Sequence, residues 1–217
     1  MKTIFVIIFL IIIAVLAFFL LKSSSQKESS NNPPPVNQSP VNQSENKVTD
    51  DFQPPLNRAG ERVTKKSFAI FITPENSPIQ PERFSGYHTG SDFEIFPEET
   101  NVEVSVHAVC SGTLSMKKYA TGYGGVAVQN CELNKELITV IYGHLKLSSI
   151  TLAAGQNMVV GDVIGILGAN KSTETNGERK HLHLGIHKGN EINILGYVGS
   201  RALLSDWIDP CLYVCHN

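Results

Sequence analysis

The chain is short of what a nucleic-acid binder or a helical bundle needs. Its 217 residues carry 18 Lys and Arg against 20 Asp and Glu, a formal net charge of −2. Without a basic excess it cannot displace counterions from a phosphate backbone, which excludes nucleic acid as a partner. No window holds a long apolar stripe of 3.6-residue period, and only Arg201–Ile208 reads as a helical turn or two. Cysteine is missing until Cys110, so no thiol stands beside the apolar N-terminus to be acylated.

What that N-terminus does hold is an uncharged run of 18 residues, Ile4 to Leu21. At about 1.5 Å per residue it is about 27 Å long, enough to cross a bilayer's hydrocarbon core once. Residues 1–22 are therefore expected to be a transmembrane helix, an anchor that associates the protein with the membrane. Lys2 and Lys22 flank the run on both sides and orient it weakly. Its position at the extreme N-terminus and an even number of cysteines downstream favour a single-pass protein of the cell membrane with its globular part on the extracytoplasmic side. Secretion after signal cleavage is the alternative, although Leu20-Leu21-Lys22 is not a small-x-small site. Residues 23–62 read as a disordered linker rich in Pro, Asn and Ser, in which PVNQS occurs twice in succession at Pro35–Ser39 and Pro40–Ser44. A flexible segment of about 40 residues reaches roughly 35 Å.

Residues 63–217 are long enough for one sizeable core and read as all-β. Short apolar runs rich in β-branched and aromatic residues, Phe68–Ile72, Val102–Val109, Val126–Val128, Leu137–Tyr142, Val163–Leu167 and His181–His187, are separated by glycine and Gly-Asp turn signals. They predict an antiparallel, strand-rich sandwich or partly open barrel.

Three segments carry chemistry. His88-Thr89-Gly90-Ser91-Asp92 sets an imidazole and a carboxylate about 13 Å apart if extended, and Gly90 permits the bend that would bring them to one ion. In His181-Leu182-His183 alternation puts both imidazoles on one strand face, where burial demands hydrogen bonds or a metal. His144 ends the apolar strand Thr139–Leu145 at its rim, and Gly143 beside it leaves room for a close approach.

In the order and spacing of these motifs, from roughly Pro81 to Val214, the chain resembles the lysostaphin-type, LytM-like zinc metalloendopeptidases that cut peptidoglycan cross-bridges. The family's H-x-x-x-D matches His88–Asp92, its aromatic-x-His-Leu matches Tyr142–Leu145, its H-x-H matches His181–His183, and its C-terminal Asp-Pro matches Asp209-Pro210. Val159–Gly165 resembles the Gly-Asp hairpin of the duplicated hybrid motif fold, which lipoyl and biotinyl carriers share. A carrier would present a lysine at a hairpin tip, and Met116-Lys117 is the nearest candidate, but that reading leaves the histidine motifs unexplained. The resemblance implies one Zn²⁺ held by His88, Asp92 and His183, an N/O/N set with a fourth position left for water. It implies catalytic roles for His144 and His181 as general base and stabiliser of the tetrahedral intermediate, in either order. The implied substrate is a peptide of bacterial peptidoglycan, its cross-bridge or stem, with the oligomeric state left open. The alternative is a catalytically inactive relative that binds peptidoglycan or activates another wall hydrolase.

The remaining features have plainer readings. His187, His107 and His216 read as rim or surface residues. The loop Asn170–Lys180 is longer and more charged than the family's approach to its H-x-H; it is expected to wall the groove, with Arg179 and Lys180 solvated or meeting carboxylates of a stem peptide. Leu184-Gly185 replaces an aromatic and an acid, which bears on packing. Four cysteines allow three connectivities; Cys110 with Cys131 is the first choice, and Cys211 with Cys215 requires a tight or helical turn. A second metal site from Cys211, Cys215 and His216 is the competing reading.

Overall fold

The structure, a computed structural model, describes residues 52–216. The expected transmembrane segment 1–22 and linker residues up to 51 lie outside them. Among the described residues no helix is long and apolar enough to cross a membrane.

The described chain forms β1 (Phe71–Ile72), β2 (Gly86–His88), β3 (Gly90–Glu94), β4 (Ser105–His107), β5 (Gly112–Ala120), β6 (Gly124–Leu133), β7 (Glu136–Leu145), β8 (Asn157–Met158), β9 (Val163–Ile166), β10 (His181–Lys188), β11 (Tyr197–Val198) and β12 (Trp207–Ile208). Two single helical turns, α1 (Arg201–Leu204) and α2 (Cys211–Val214), flank β12. The largest sheet runs β12-β10-β7-β6-β5-β8, with β3 also paired to β10; smaller sheets are β1-β2-β11 and β4-β9. Each of these pairings is antiparallel, so the all-β expectation holds.

Burial explains why the runs of the central strands are apolar rather than alternating. Seven of the eight residues of β10 and the last eight of β7 are buried, so both faces of these strands meet packed side chains. Leu182, Leu184 and Ile186 of β10 join Phe93, Val140, Tyr142 and Leu145 in the main core. The sequence reading missed β5, whose Lys117 and Lys118 and half-exposed pattern conceal a strand stabilised by its neighbour β6. Lys117 lies within that strand, with Nζ donating to the Ile150 carbonyl at 2.6 Å, which removes the carrier reading's candidate lysine. The Val159–Asp162 turn forms as expected: Asp162 N donates to Val159 O at 3.0 Å, its carboxylate accepts from Val159 N at 2.8 Å, and Gly161 supplies φ 87°. The helical reading of Arg201–Ile208 is correct for α1 only, since Trp207 and Ile208 pair with β10.

The packed unit begins upstream of residue 63. Leu56, Ala59 and Arg62 are buried at 2%, 1% and 2% exposure. Arg62 reaches Glu99 through both terminal nitrogens at 2.7 and 2.8 Å, donates to the carbonyls of Asn57 and Glu94, and lies 4.1 Å from the centre of the Phe96 ring. A segment poor in apolar residues is thus held by one buried guanidinium, a partner set that spacing along the chain does not reveal.

Both disulfides form, Cys110–Cys131 across the open end of the β5–β6 hairpin and Cys211–Cys215 within the turn of α2. No cysteine is left to ligate a second metal. The Cys110–Cys131 link closes 21 residues of sequence separation, for which loop-closure entropy gives about 3 kcal/mol. Replacing Cys110 and Cys131 together by Ser is expected to lower unfolding stability by about that amount in urea denaturation, with the sheet retained.

Candidate metal centre

Antiparallel pairing assembles the site. In β10, His183 lies opposite Asp92 of β3 on one side and Gly143 of β7 on the other, and His181 lies opposite Glu94. Directly opposed residues share a face, so His181, His183, Asp92 and Glu94 occupy one surface. His88 arrives from another sheet: β2 ends there, the chain turns at Thr89, and β3 begins at Gly90. That bend removes the separation an extended chain would impose. Gly90 is needed for a second reason, because a Cβ there would stand 2.3 Å from the Leu184 carbonyl oxygen of β10. Leu184, at the departure Leu184-Gly185, is fully buried in the core.

Three donor atoms converge. His88 Nε2 is 3.0 Å from His183 Nδ1 and 3.3 Å from Asp92 Oδ1, and His183 Nδ1 is 3.2 Å from Asp92 Oδ1. The residues are 1–3% exposed, and the set could hold a metal ion. Hydrogen bonds behind the rings fix which lone pairs point inward. His88 Nδ1 lies 3.2 Å from the Ser67 carbonyl, an acceptor only, so that nitrogen carries the proton and Nε2 faces the centre bare. His181 Nδ1 donates to the Arg179 carbonyl at 2.8 Å, which leaves Nε2 unprotonated, 3.3 Å from Asp92 Oδ2. His183 Nε2 is buried without a partner; its ring is held edgewise between Tyr123 and His88, centroids 5.2 and 4.9 Å away.

His144 completes the cluster. Its ring centroid is 4.2 Å from that of His181, and its Nδ1 is buried with no partner. The backbone holds it at φ 63°, a left-handed conformation unusual for a residue other than glycine and often found where function over-determines the chain. The room left by Gly143 is filled by a protein side chain: a Cβ there would lie 2.4 Å from the Tyr123 ring.

Electrostatics follow from burial and crowding. Burial alone would raise Asp92, but the charge His181 and His88 carry when protonated, with hydrogen bonds from His181 and His183, outweighs it and holds the carboxyl well below its usual range. Burial pushes His183 down to about 4, against the favourable Asp92, and pushes His144 well below the ordinary histidine value. The site lies at the base of a groove of about 340 Å³ lined by Phe84, Tyr123, Leu195, Gly196 and Tyr197 among others.

Arg179 and Lys180 are not solvated loop charges and do not meet the groove as free cations. Arg179 Nη2 binds Asp92 Oδ2 at 2.9 Å, and its Nε and Nη2 grip Glu94. Lys180 points the other way along the alternation, and its Nζ donates to the backbone carbonyls of Glu99 and Val102. The loop does line the groove through Glu178 and Arg179, and is tied down by Arg83–Glu178 at 2.5 Å and by Asn176, which binds Gly122 and Tyr119. All five residues expected at the site, His88, Asp92, His144, His181 and His183, are brought together. His187 stands apart, 8% exposed and edgewise against Trp207, while His107 binds the Gly161 carbonyl and His216 the Leu212 carbonyl. Sequence reasoning missed Tyr123, which had no motif to mark it, and the partner of Arg179, whose signal was its even spacing, two and four residues, from His181 and His183.

Because His183 titrates near 4 when folded and near 6.5 when unfolded, the unfolded chain takes up the proton first on acidification. The stability of the metal-free protein is expected to be full above about pH 6.5 and to fall toward pH 4, with His144 acting in the same direction, read as Tm against pH in chelator. A Tm that rises over that window would contradict the buried neutral state.

The sequence profile of peptidase family M23 matches residues 86–194, half of the chain and every residue of the cluster. Endolysin 2638A of Staphylococcus phage 2638A is 34% identical over 110 residues, covering 51% of this chain and 21% of the endolysin, so the match spans about a fifth of that relative's length. Similar solved structures include the catalytic domain of the antimicrobial peptidase lysostaphin from Staphylococcus simulans, at 19% identity and TM-score 0.46 over 68% of this chain and 87% of that one. Another is cbpa from L. salivarius REN, at 25% identity and TM-score 0.46 over 72% and 96%. With the profile matched across half its length, the chain belongs to peptidase family M23.

Proposed function

We propose that the protein is a zinc metalloendopeptidase that hydrolyses peptide bonds of bacterial peptidoglycan, on the duplicated hybrid motif fold. In this reading residues 1–22 hold it in the cell membrane and a polar segment carries the domain toward the wall on the extracytoplasmic side. The observation that carries the reading is the triangle of His88 Nε2, Asp92 Oδ1 and His183 Nδ1, with edges of 3.0–3.3 Å. A tetrahedral zinc ion with ligand bonds of about 2.0–2.1 Å needs donors about 3.3–3.4 Å apart, so the set fits with little movement. Two disulfides support an oxidising compartment.

Zinc, when bound, would supply a Lewis acid for the scissile carbonyl and lower the pKa of a bound water toward about 7. The chain's own residues supply the proton handling. His181 has its Nδ1 proton committed to the Arg179 carbonyl, so Nε2 is the atom that accepts a proton from attacking water and returns it to the leaving amine. His144, kept neutral by burial, is suited to donate a hydrogen bond to the developing oxyanion. Each charged residue that lines the groove already has a partner: Lys66 has Glu82, Glu178 has Arg83, and Arg179 has Asp92 and Glu94. The groove therefore suits an uncharged stretch of peptide around the scissile bond.

Digestion of purified peptidoglycan by the zinc-loaded full chain, followed by mass analysis, is expected to release fragments with new peptide termini, and a chelator to abolish them. Absence of a chelator-sensitive product would overturn the reading. His183→Ala is expected to lose zinc and activity together, whereas His144→Ala keeps zinc and loses about 10²–10⁴-fold in turnover. Among synthetic cross-bridge peptides, those neutral on both sides of the cut are expected to be cleaved faster than those with a carboxylate side chain there.

A further inference from the structure

Arg179 touches two of the five residues of the centre through different atoms. Its backbone carbonyl accepts the Nδ1 proton of His181 at 2.8 Å, and its Nη2 binds Asp92 Oδ2 at 2.9 Å. Asp92 is thereby divided: Oδ1 belongs to the triangle with His88 and His183, while Oδ2 is occupied from outside it. Glu94, two residues along β3 and on the same face, anchors the other side of the guanidinium through Nε at 3.0 Å and through Nη2. Lys65 adds a more distant contact to Glu94 at 3.4 Å. The arrangement follows from the β3–β10 register, in which Asp92 opposes His183 and Glu94 opposes His181; Arg179 lies two residues before His181, just ahead of β10. The guanidinium is 12% exposed, and the two carboxylates raise its pKa against the effect of burial, so it stays charged.

We propose that Arg179 is a positioning residue of the metal centre: its planar fork, braced by Glu94, holds Asp92 so that a single oxygen is offered to the ion and sets the tautomer of His181 from the same backbone unit. The inference rests on the metallopeptidase reading of this site. A point charge would neutralise the two carboxylates equally well. Only a planar fork fixes the rotation of one carboxylate against another, which separates positioning from charge balance. Without it Asp92 can rotate and engage an ion with both oxygens, changing coordination as well as affinity.

The test uses the full chain, stripped of metal by a chelator and titrated with zinc against a chromophoric competitor, then with cobalt(II) followed by visible absorption. Arg179→Gln is expected to weaken zinc binding about 10–100-fold, the usual cost of losing a partner behind a metal ligand. Its cobalt spectrum should change in intensity as coordination number changes. Arg179→Lys retains the charge, and is expected to remain folded yet fail to restore either the affinity or the spectrum. Folded variants with wild-type zinc affinity and cobalt spectrum would overturn the proposal. So would full rescue by lysine, which would reduce Arg179 to charge balance, or failure of both variants to fold, which would make its role structural. If the wild-type chain itself binds neither ion, the metallopeptidase reading falls first, and this inference with it.

Discussion

Strand β10 is paired along both edges, to β7 on one side and to β3 and then β12 on the other, and the rest of the site depends on that register. A one-residue slip would send His181 and His183 to the opposite face and put Leu182 in their place. Double pairing prevents it, because the same strand would have to break two ladders and expose Leu182, Leu184 and Ile186, all fully buried. The close approach of β3 and the seating of Tyr123 require glycine at positions 90 and 143, where a Cβ would collide at 2.3 and 2.4 Å. The fold thus supplies the precision that catalytic geometry demands from hydrogen-bond ladders rather than from loops.

Concentrating four histidines and an aspartate away from water is costly unless their polar atoms find partners. The structure offsets the cost in layers. Backbone carbonyls of Ser67 and Arg179 take ring protons, the Arg179 guanidinium takes the outer oxygen of Asp92, and Glu94 holds the guanidinium. Within the cluster His144 Nδ1 and His183 Nε2 stay unpaired, as does the Tyr123 hydroxyl beside it; Asn130 Oδ1 and His187 Nδ1 are unpaired elsewhere among the described residues. In the interior of a protein, unpaired polar atoms mark strain or function, and three of the five found among the described residues belong to this cluster or to the tyrosine packed against it.

Charge pairing around the groove has a second consequence. Lys66, Glu178 and Arg179 carry formal charge at its surface, yet each is committed to an internal partner, so the groove is shaped by charges it does not display. The loop Asn170–Lys180 brings one of those charges, Arg179, against Asp92. Its length is absorbed by contacts with Gly122, Tyr119 and Arg83, which tie it to the β5–β6 turn and to the segment before β2.

The sequence by itself determined the all-β class and the turns and marked the His88–Asp92, His144 and His181–His183 segments as chemical; it left the cysteine connectivity open, with Cys110–Cys131 preferred, and the five residues became one set through the resemblance of those motifs to a known family. The class and the turns rest on local chemistry: short apolar runs rich in β-branched and aromatic residues, and glycine and Gly-Asp turn signals. It did not reveal β5, whose lysines hide a strand that exists because β6 lies beside it, nor the packing of Leu56, Ala59 and Arg62, whose partners lie far along the chain. Tertiary structure alone decided which nitrogen of His88 and of His181 faces inward, because the deciding acceptors are backbone carbonyls that carry no residue identity. It alone turned Arg179 from a surface charge into the partner of Asp92, since an ion pair across two strands depends on their register, which neither segment specifies without the other.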